Sequence, residues 1–372
     1  MTNIINLPED LVVEIFSRIS AVSLAQLRST SKGWNALIGD GRLAKKHSAN
    51  APKQSLVIVV TNLRVCLLSV DLRGMHDNVA PSAKVSAPFS LKGPKPHASE
   101  EVDIREVFHC DGLLLCTTTD DRLVVSNPCS GETRWIPIPS KHYDKEIHMY
   151  ALGKSSCNKY KILRVDRLNR YEYEIYDLTS DSWTCVGVIT DLYSSGGIAM
   201  KGNTYWCSRS PEGPLLVCFD YSTEKFTRMS LPEDPDDTLA HSALNLTVTR
   251  EGQQLCLLST SFSETTNQIN VWITTKSESP GAMSWSKFVT LSRTRADLIS
   301  RLQFMMGTRF LFDEENKVVL SCNGPTEHSK NIIHIMGDDK YIDVNHHGAE
   351  PTSPDCFLLS YVPSLVQIQQ AI

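Results

Sequence analysis

Five times in this chain a short apolar run ends in a polar turn and is followed by an aromatic residue. The segments are LVVSNPCSGETRWIPIP, YEIYDLTSDSWTCVGV, LLVCFDYSTEKFTRMSLP, INVWITTKSESPGAMSWSKFVTL and IIHIMGDDKYIDV. Their aromatic positions, Trp135, Trp183, Phe226, Trp285 and Tyr341, recur roughly 43 to 59 residues apart, close to the ~40 to 50 residues of one propeller blade. A second, hairpin-like motif recurs ahead of them as FHCDGLLLCTT, AMKGNTYWCS, TREGQQLCLLS and DEENKVVLSC. An inner and an outer hairpin make four strands, which is one blade. Residues 55–105, with QSLVIVVTNLRVCLLSVDLRG and then a Pro- and Lys-rich loop, supply a sixth, degenerate unit. Turn pairs at Asp111-Gly112, Lys201-Gly202 and Glu251-Gly252 suit hairpins. Residues 51–372 are therefore expected to form an irregular six-bladed β-propeller, with a large sandwich as the alternative.

The first 50 residues carry a different periodicity. In LPEDLVVEIFSRIS, residues 7–20, Pro8 opens a helix whose first turn holds Glu9 and Asp10, both favourable against the helix dipole. Leu11, Val12, Ile15, Phe16 and Ile19 span roughly 140° of that helix, and Val13 widens the arc, where about 100° serves a single packing stripe. Ser20 and Ser31 are candidate N-caps for a second and a third short helix, the third stopping at Gly39 and Gly41. Three short helices cannot cover all this apolar surface among themselves, so a partner is expected on the remainder. The boundary between the two regions falls near SANAPKQ.

At 372 residues with a net charge of -5, the chain has room for a sizeable core and no global basic field that would suit nucleic acid. Its 11 cysteines show no C-x-x-C spacing, so they are expected as reduced, mostly buried thiols of the cytosol or nucleus. Neither a secretory signal nor a run near the ~20 apolar residues of a membrane span is visible. Cys110 and Cys116 flank GLLL and would share one face of a hairpin, but no ligand partner follows at zinc spacing. The adjacent His346-His347, the single Gly196-Gly197 pair and the acidic, proline-interrupted LPEDPDD read as loops or close backbone approach. No strand-to-helix nucleophile elbow, calcium loop or phosphate loop is present. No catalytic residue, metal site or cofactor is expected.

LPEDLVVEIFSRIS, then SLAQLRSTSKGWNALI, resembles the F-box, and CDGLLLC, VSNPCSGETRWIP and YKILR resemble the plant F-box associated domain of type I. The likeness to kelch repeats is looser, since Gly-Gly occurs once rather than in every unit. The resemblance implies a small all-α F-box over 1–50 followed by a substrate-recognition propeller. It implies docking on a Skp-type adaptor and, through it, on cullin and RING subunits of an SCF-type ubiquitin ligase, with no catalysis by this chain. The docking residues it implies are Leu7, Pro8, Leu11, Ile15, Leu24, Leu27, Ser31 and Trp34. Leu7 and Pro8 would set the approach of the chain, Leu11 and Ile15 would insert into the adaptor, and Trp34 would anchor the third helix. Ser20 and Thr30 depart from the family pattern. The substrate would be a protein captured by blade loops such as SKHYDKE, SRSPEGP and SFSETTN. A scaffold acting outside a ligase and a propeller binding a sugar or other small ligand are the competing readings.

Overall fold

The computed structural model describes residues 7–370 except 29, 52–55, 62, 73–79, 94–100, 139–147, 167–171, 190–195, 234–238, 240–241, 250–253, 263–266, 276–282, 294–309, 324–331, 338–340 and 346–355. Four helices come first: α1 (Glu9–Phe16), α2 (Ala21–Arg28), α3 (Lys32–Ile38) and α4 (Gly41–Asn50). The fourth was not anticipated. Gly39 and Gly41 read as stops, yet the Asp40 carboxylate accepts from the Arg42 amide at 2.8 Å and restarts the helix between them.

Three strands follow, β1 (Leu56–Thr61), β2 (Arg64–Asp71) and β3 (Ser82–Phe89). The second blade is β4 (Ile104–Cys110), β5 (Leu113–Thr118), β6 (Leu123–Ser126) and β7 (Thr133–Ile136). The third is β8 (His148–Lys154), β9 (Tyr160–Asp166), β10 (Glu172–Asp177) and β11 (Ser182–Val188). The fourth is β12 (Ile198–Met200), β13 (Asn203–Ser210), β14 (Gly213–Asp220) and β15 (Lys225–Met229). The fifth is β16 (Ala243–Val248), β17 (Leu255–Phe262), β18 (Asn267–Thr275) and β19 (Ser284–Arg293). The sixth is β20 (Leu311–Asp313), β21 (Val318–Asn323), β22 (Ile332–Met336) and β23 (Tyr341–Asn345), and β24 (Cys356–Tyr361) remains.

Each of the six sheets is an antiparallel meander of four strands, as the repeat implies. The degenerate unit differs from its expectation. Residues 55–105 give only three strands of the first blade, and β24 completes it from the far end of the chain, with Leu56 opposite Tyr361 and Thr61 opposite Cys356. Without β24 the inner edge of β1 would present unpaired backbone groups to the channel. The inner strands β24, β4, β8, β12, β16 and β20 touch in turn around a closed ring.

All five aromatic anchors sit on the outermost strand of their blade. Two latch neighbouring blades together: the Trp183 indole donates to Pro137 O at 2.6 Å and the Trp285 indole to Ser230 O at 3.1 Å. Pro137 and Ser230 each follow the outer strand of the preceding blade, so the device is repeated. At Asp111-Gly112 and Lys201-Gly202 both turn residues have positive φ (51° and 83°, 51° and 86°), the geometry of a tight hairpin. Gly197 allows the close approach read from the sequence, since a Cβ there would lie 2.4 Å from Trp206 Nε1. Glu251-Gly252, His346-His347 and most of the LPEDPDD run lie outside the described residues.

Two cysteine expectations are corrected. Cys322 on β21 and Cys356 on β24 form a disulfide with a Cα–Cα distance of 5.9 Å, while the other nine cysteines are free. The bond joins the last full blade to the closing strand, a proximity that exists only once the ring is shut. Cys110 and Cys116 do not share a face. Cys110 pairs with Leu113 across the turn, which inverts the parity, so Cys110 packs toward the third blade and Cys116 toward the first. Burial raises both thiol pKa values, that of Cys116 to about 12, so both are neutral packing groups.

Candidate functional site

The apolar residues of α1 divide between two directions. Val12, Val13 and Phe16 are buried in a cluster with Ala21, Leu24, Ile38 and Leu43, and Phe16 packs on Trp34 with ring centroids 5.0 Å apart. Leu11 and Ile15, one turn apart, remain 51% and 37% exposed. Burying a leucine-sized side chain gains roughly 1.5 to 3 kcal/mol, so this pair is a strip of unused association energy.

The surroundings hold that strip in place. Glu14 beside it accepts from Arg18 at 2.7 Å and pairs with Lys46 of α4 at 3.3 Å; the Arg18 hydrogen bond, followed by Lys46, holds its carboxyl below the usual carboxylate range. Arg42 bridges Glu9 at 2.7 Å and Asp40 at 2.8 Å, tying α1 to the start of α4. His47 of α4 lies 2.8 Å from Ile19 O, and burial lowers its pKa below the ordinary imidazole value. It is therefore neutral with its proton on Nε2, donating to that carbonyl. Exposed ion pairs contribute little energy; their part is to fix the orientation of α1 against α4.

The residues named from sequence fall into three groups. Pro8, Leu11, Ile15 and Ser31 are exposed; Leu7, Leu27 and Trp34 are half-buried; Leu24 is fully enclosed. Ser31 caps α3, its hydroxyl accepting from Trp34 N at 3.1 Å, and the Ser20 hydroxyl accepts from Ser23 N at 3.2 Å at the start of α2. Leu24 packs the chain's own core. Sequence reasoning missed what covers the inner face: besides α4, the cluster includes Cys129 from the second blade and Leu365 from the segment after β24. The sequence carried one signal for this, the apolar spacing of PSLVQI after the last strand.

That segment runs under the second and third blades, against the turns Asp111-Gly112, 127–132 and 155–159. These turns join the first to the second and the third to the fourth strands of their blades. The helices therefore occupy one end of the propeller. Among the described residues, the opposite end carries the second-to-third strand turns 119–122 and 211–212. Of the three loops named as candidate contacts, Pro211-Glu212 of SRSPEGP turns at that opposite end, whereas SKHYDKE and residues 263–266 lie outside the described residues. A cavity of about 40 Å³ lies against the first, fifth and sixth blades, lined by Leu56, Val70, Leu72, Val248, Phe312 and a single carboxylate, Asp313. It has room for one or two waters. Among the described residues no cluster of His, Cys, Asp and Glu could hold a metal ion, and no helix is long and apolar enough to cross a membrane.

Comparison with known proteins agrees with this division. Residues 4–46 match the F-box domain, and residues 56–368 match the F-box associated beta propeller domain. An Arabidopsis thaliana protein named as an F-box protein is 49% identical over 390 residues, covering 100% of this chain and 99% of its own length. A second is 45% identical over 98% of this chain and 99% of its own length. A third, named as an F-box/kelch-repeat protein, is 40% identical over 97% and 96%. With both family patterns matched and relatives aligned along its whole length, the chain belongs to the F-box proteins that carry an F-box associated β-propeller.

Proposed function

We propose that this chain is the substrate-recognition subunit of an SCF-type cullin–RING ubiquitin ligase. Its helices dock on a Skp-type adaptor, and the end of the propeller opposite the helices captures a protein for ubiquitination by the assembled complex in the cytosol or nucleus. The observation that carries this reading is the division of α1. Val12, Val13 and Phe16 complete the internal core while Leu11 and Ile15 keep 51% and 37% of their surface in solvent, so the pair offers apolar surface that the internal core does not use. The propeller supports it as a closed ring of six blades whose one end meets the helices, so that recognition is assigned to the other. Binding would use Pro8, Leu11, Ile15 and the rim of Leu7, Leu27, Ser31 and Trp34, with the enclosed Leu24 supporting them from beneath. The chain itself performs no chemistry in this role; the transfer of ubiquitin belongs to the complex.

Proximity labelling during proteasome inhibition tests the reading, comparing the full chain with residues 51–372 alone. The expected outcome is a set of proteins labelled by both forms whose ubiquitination depends on residues 1–50. Recovery of the adaptor without any cullin would instead make the chain a scaffold outside a ligase.

A further inference from the structure

The segment that follows β24, residues 362–370, forms no strand or helix, yet backbone and side-chain hydrogen bonds hold it at Ser364, Val366, Ile368 and Gln369. The Ser364 hydroxyl donates to Asp111 O at 2.7 Å. Asn127 Nδ2 donates to Ser364 O at 3.1 Å and to Val366 O at 2.6 Å. The Ile368 amide donates to Glu132 Oε2 at 3.0 Å. Gln369 accepts from Tyr160 N at 2.8 Å and donates to Asn158 O at 2.7 Å, and its carbonyl accepts from Arg134. Its side chains face both ways. Ile368 enters the core of the second and third blades, Leu365 enters the helical cluster beside Phe16 and Leu24, and Gln367 donates to Gly39 O at the end of α3.

The second blade is adapted to this seat. In the third and fourth blades the turn between the last two strands opens with an aspartate, Asp177 or Asp220, that accepts from the amide two residues on at 2.7 Å. The second blade has a longer turn with Asn127 in that role, accepting from Cys129 N at 2.8 Å. The amide keeps the turn and adds two N–H donors, which a carboxylate lacks. Asn127 is fully buried, and both donors go to residues 362–370. Gly112 leaves the remaining space, since a Cβ there would meet Ser364 Oγ at 2.2 Å.

We infer that residues 362–370 are a strap, with Asn127 and Leu365 as its positioning residues, that fixes the helical unit at one angle to the propeller. The reach from the α1 surface to the opposite end of the propeller is then set by the fold. The consequence for target presentation rests on the docking reading above, whereas the strap itself does not.

Asn127→Asp tests it with little other disturbance: the turn acceptor remains, both donors are lost, and a carboxylate faces two carbonyl oxygens. Nitroxide labels carried on ketone-bearing residues introduced at the exposed positions Lys45 and Glu212 leave the cysteines untouched. Pulsed dipolar spectroscopy on the full chain should give one narrow distance distribution, and Asn127→Asp should broaden it while the propeller melting transition stays in place. Leu365→Asp should broaden it likewise, and Leu365→Met should restore the narrow form. If Asn127→Asp unfolds the propeller, the Leu365 pair decides. One narrow distribution in both aspartate variants overturns the strap. No adaptor is present in the experiment, so failure to bind adaptor and failure of the strap are separate results.

Discussion

His109 illustrates how one side chain in this chain takes its state from its neighbours. It lies at the end of β4, its Nε2 accepts from the Gly112 amide at 2.9 Å, and its ring packs edge-on to Tyr361 at 5.1 Å. An accepting Nε2 carries no proton, so the ring is neutral with its proton on Nδ1, directed at the Ser360 carbonyl. Burial, the dominant cause, lowers its pKa to about 4, with Asp111 and Ser360 pulling weakly the other way. The ordinary value is about 6.5, so between pH 6.5 and 4 the unfolded chain binds a proton that the folded chain refuses. Stability is complete above pH 6.5 and falls as the pH drops toward 4, by up to about 3 kcal/mol from this group. Thermal melting across that range should show the decline, and His109→Asn should start lower and decline less. Equal slopes for both would contradict the assignment. At this scale the sequence was partly legible. Periodicity marked α1 as over-wide, but it could not separate Leu11 from Leu24, because which apolar residue is enclosed depends on α4 and Leu365 packing from outside the motif.

Elements were legible where the information was local. Hairpin turns with left-handed pairs and the aromatic of each outer strand follow from neighbouring residues, and the structure places the turns Asp111-Gly112 and Lys201-Gly202 and all five aromatics as read. The closing strand was not, because β24 pairs with β1 from the opposite end of the chain and nothing in CFLLSY names its partner. The same distance hid the Cys322–Cys356 bond, whose 34-residue separation matches no spacing rule. Its effect should be measurable. A loop of that size contributes about 3 to 4 kcal/mol in the chain-entropy account, so Cys322→Ser should lower the denaturant midpoint of the oxidised protein. Wild type in strong reductant should then melt like the variant. Identical midpoints for oxidised wild type and variant would mean that the bond contributes nothing to closure.

For the whole molecule, the repeat constrained the architecture more than any single motif did. A period of blade length left few folds open, and the change of periodicity after residue 50 separated helices from strands. What the period could not convey is how the two regions meet. The helices do not sit on the ring by themselves; they share a core with Cys129 and Leu365, and the strap that follows the closing strand holds them. This leaves less apolar surface unaccounted for than the sequence implied, and concentrates it at Leu11 and Ile15. The most direct test of the account is therefore calorimetric titration of the full chain with a purified Skp-type adaptor, for wild type and for Leu11→Asp with Ile15→Asp. Wild type is predicted to bind and the double variant to lose binding while keeping a cooperative melting transition, since neither side chain belongs to the internal core. Undiminished binding by the double variant would contradict it.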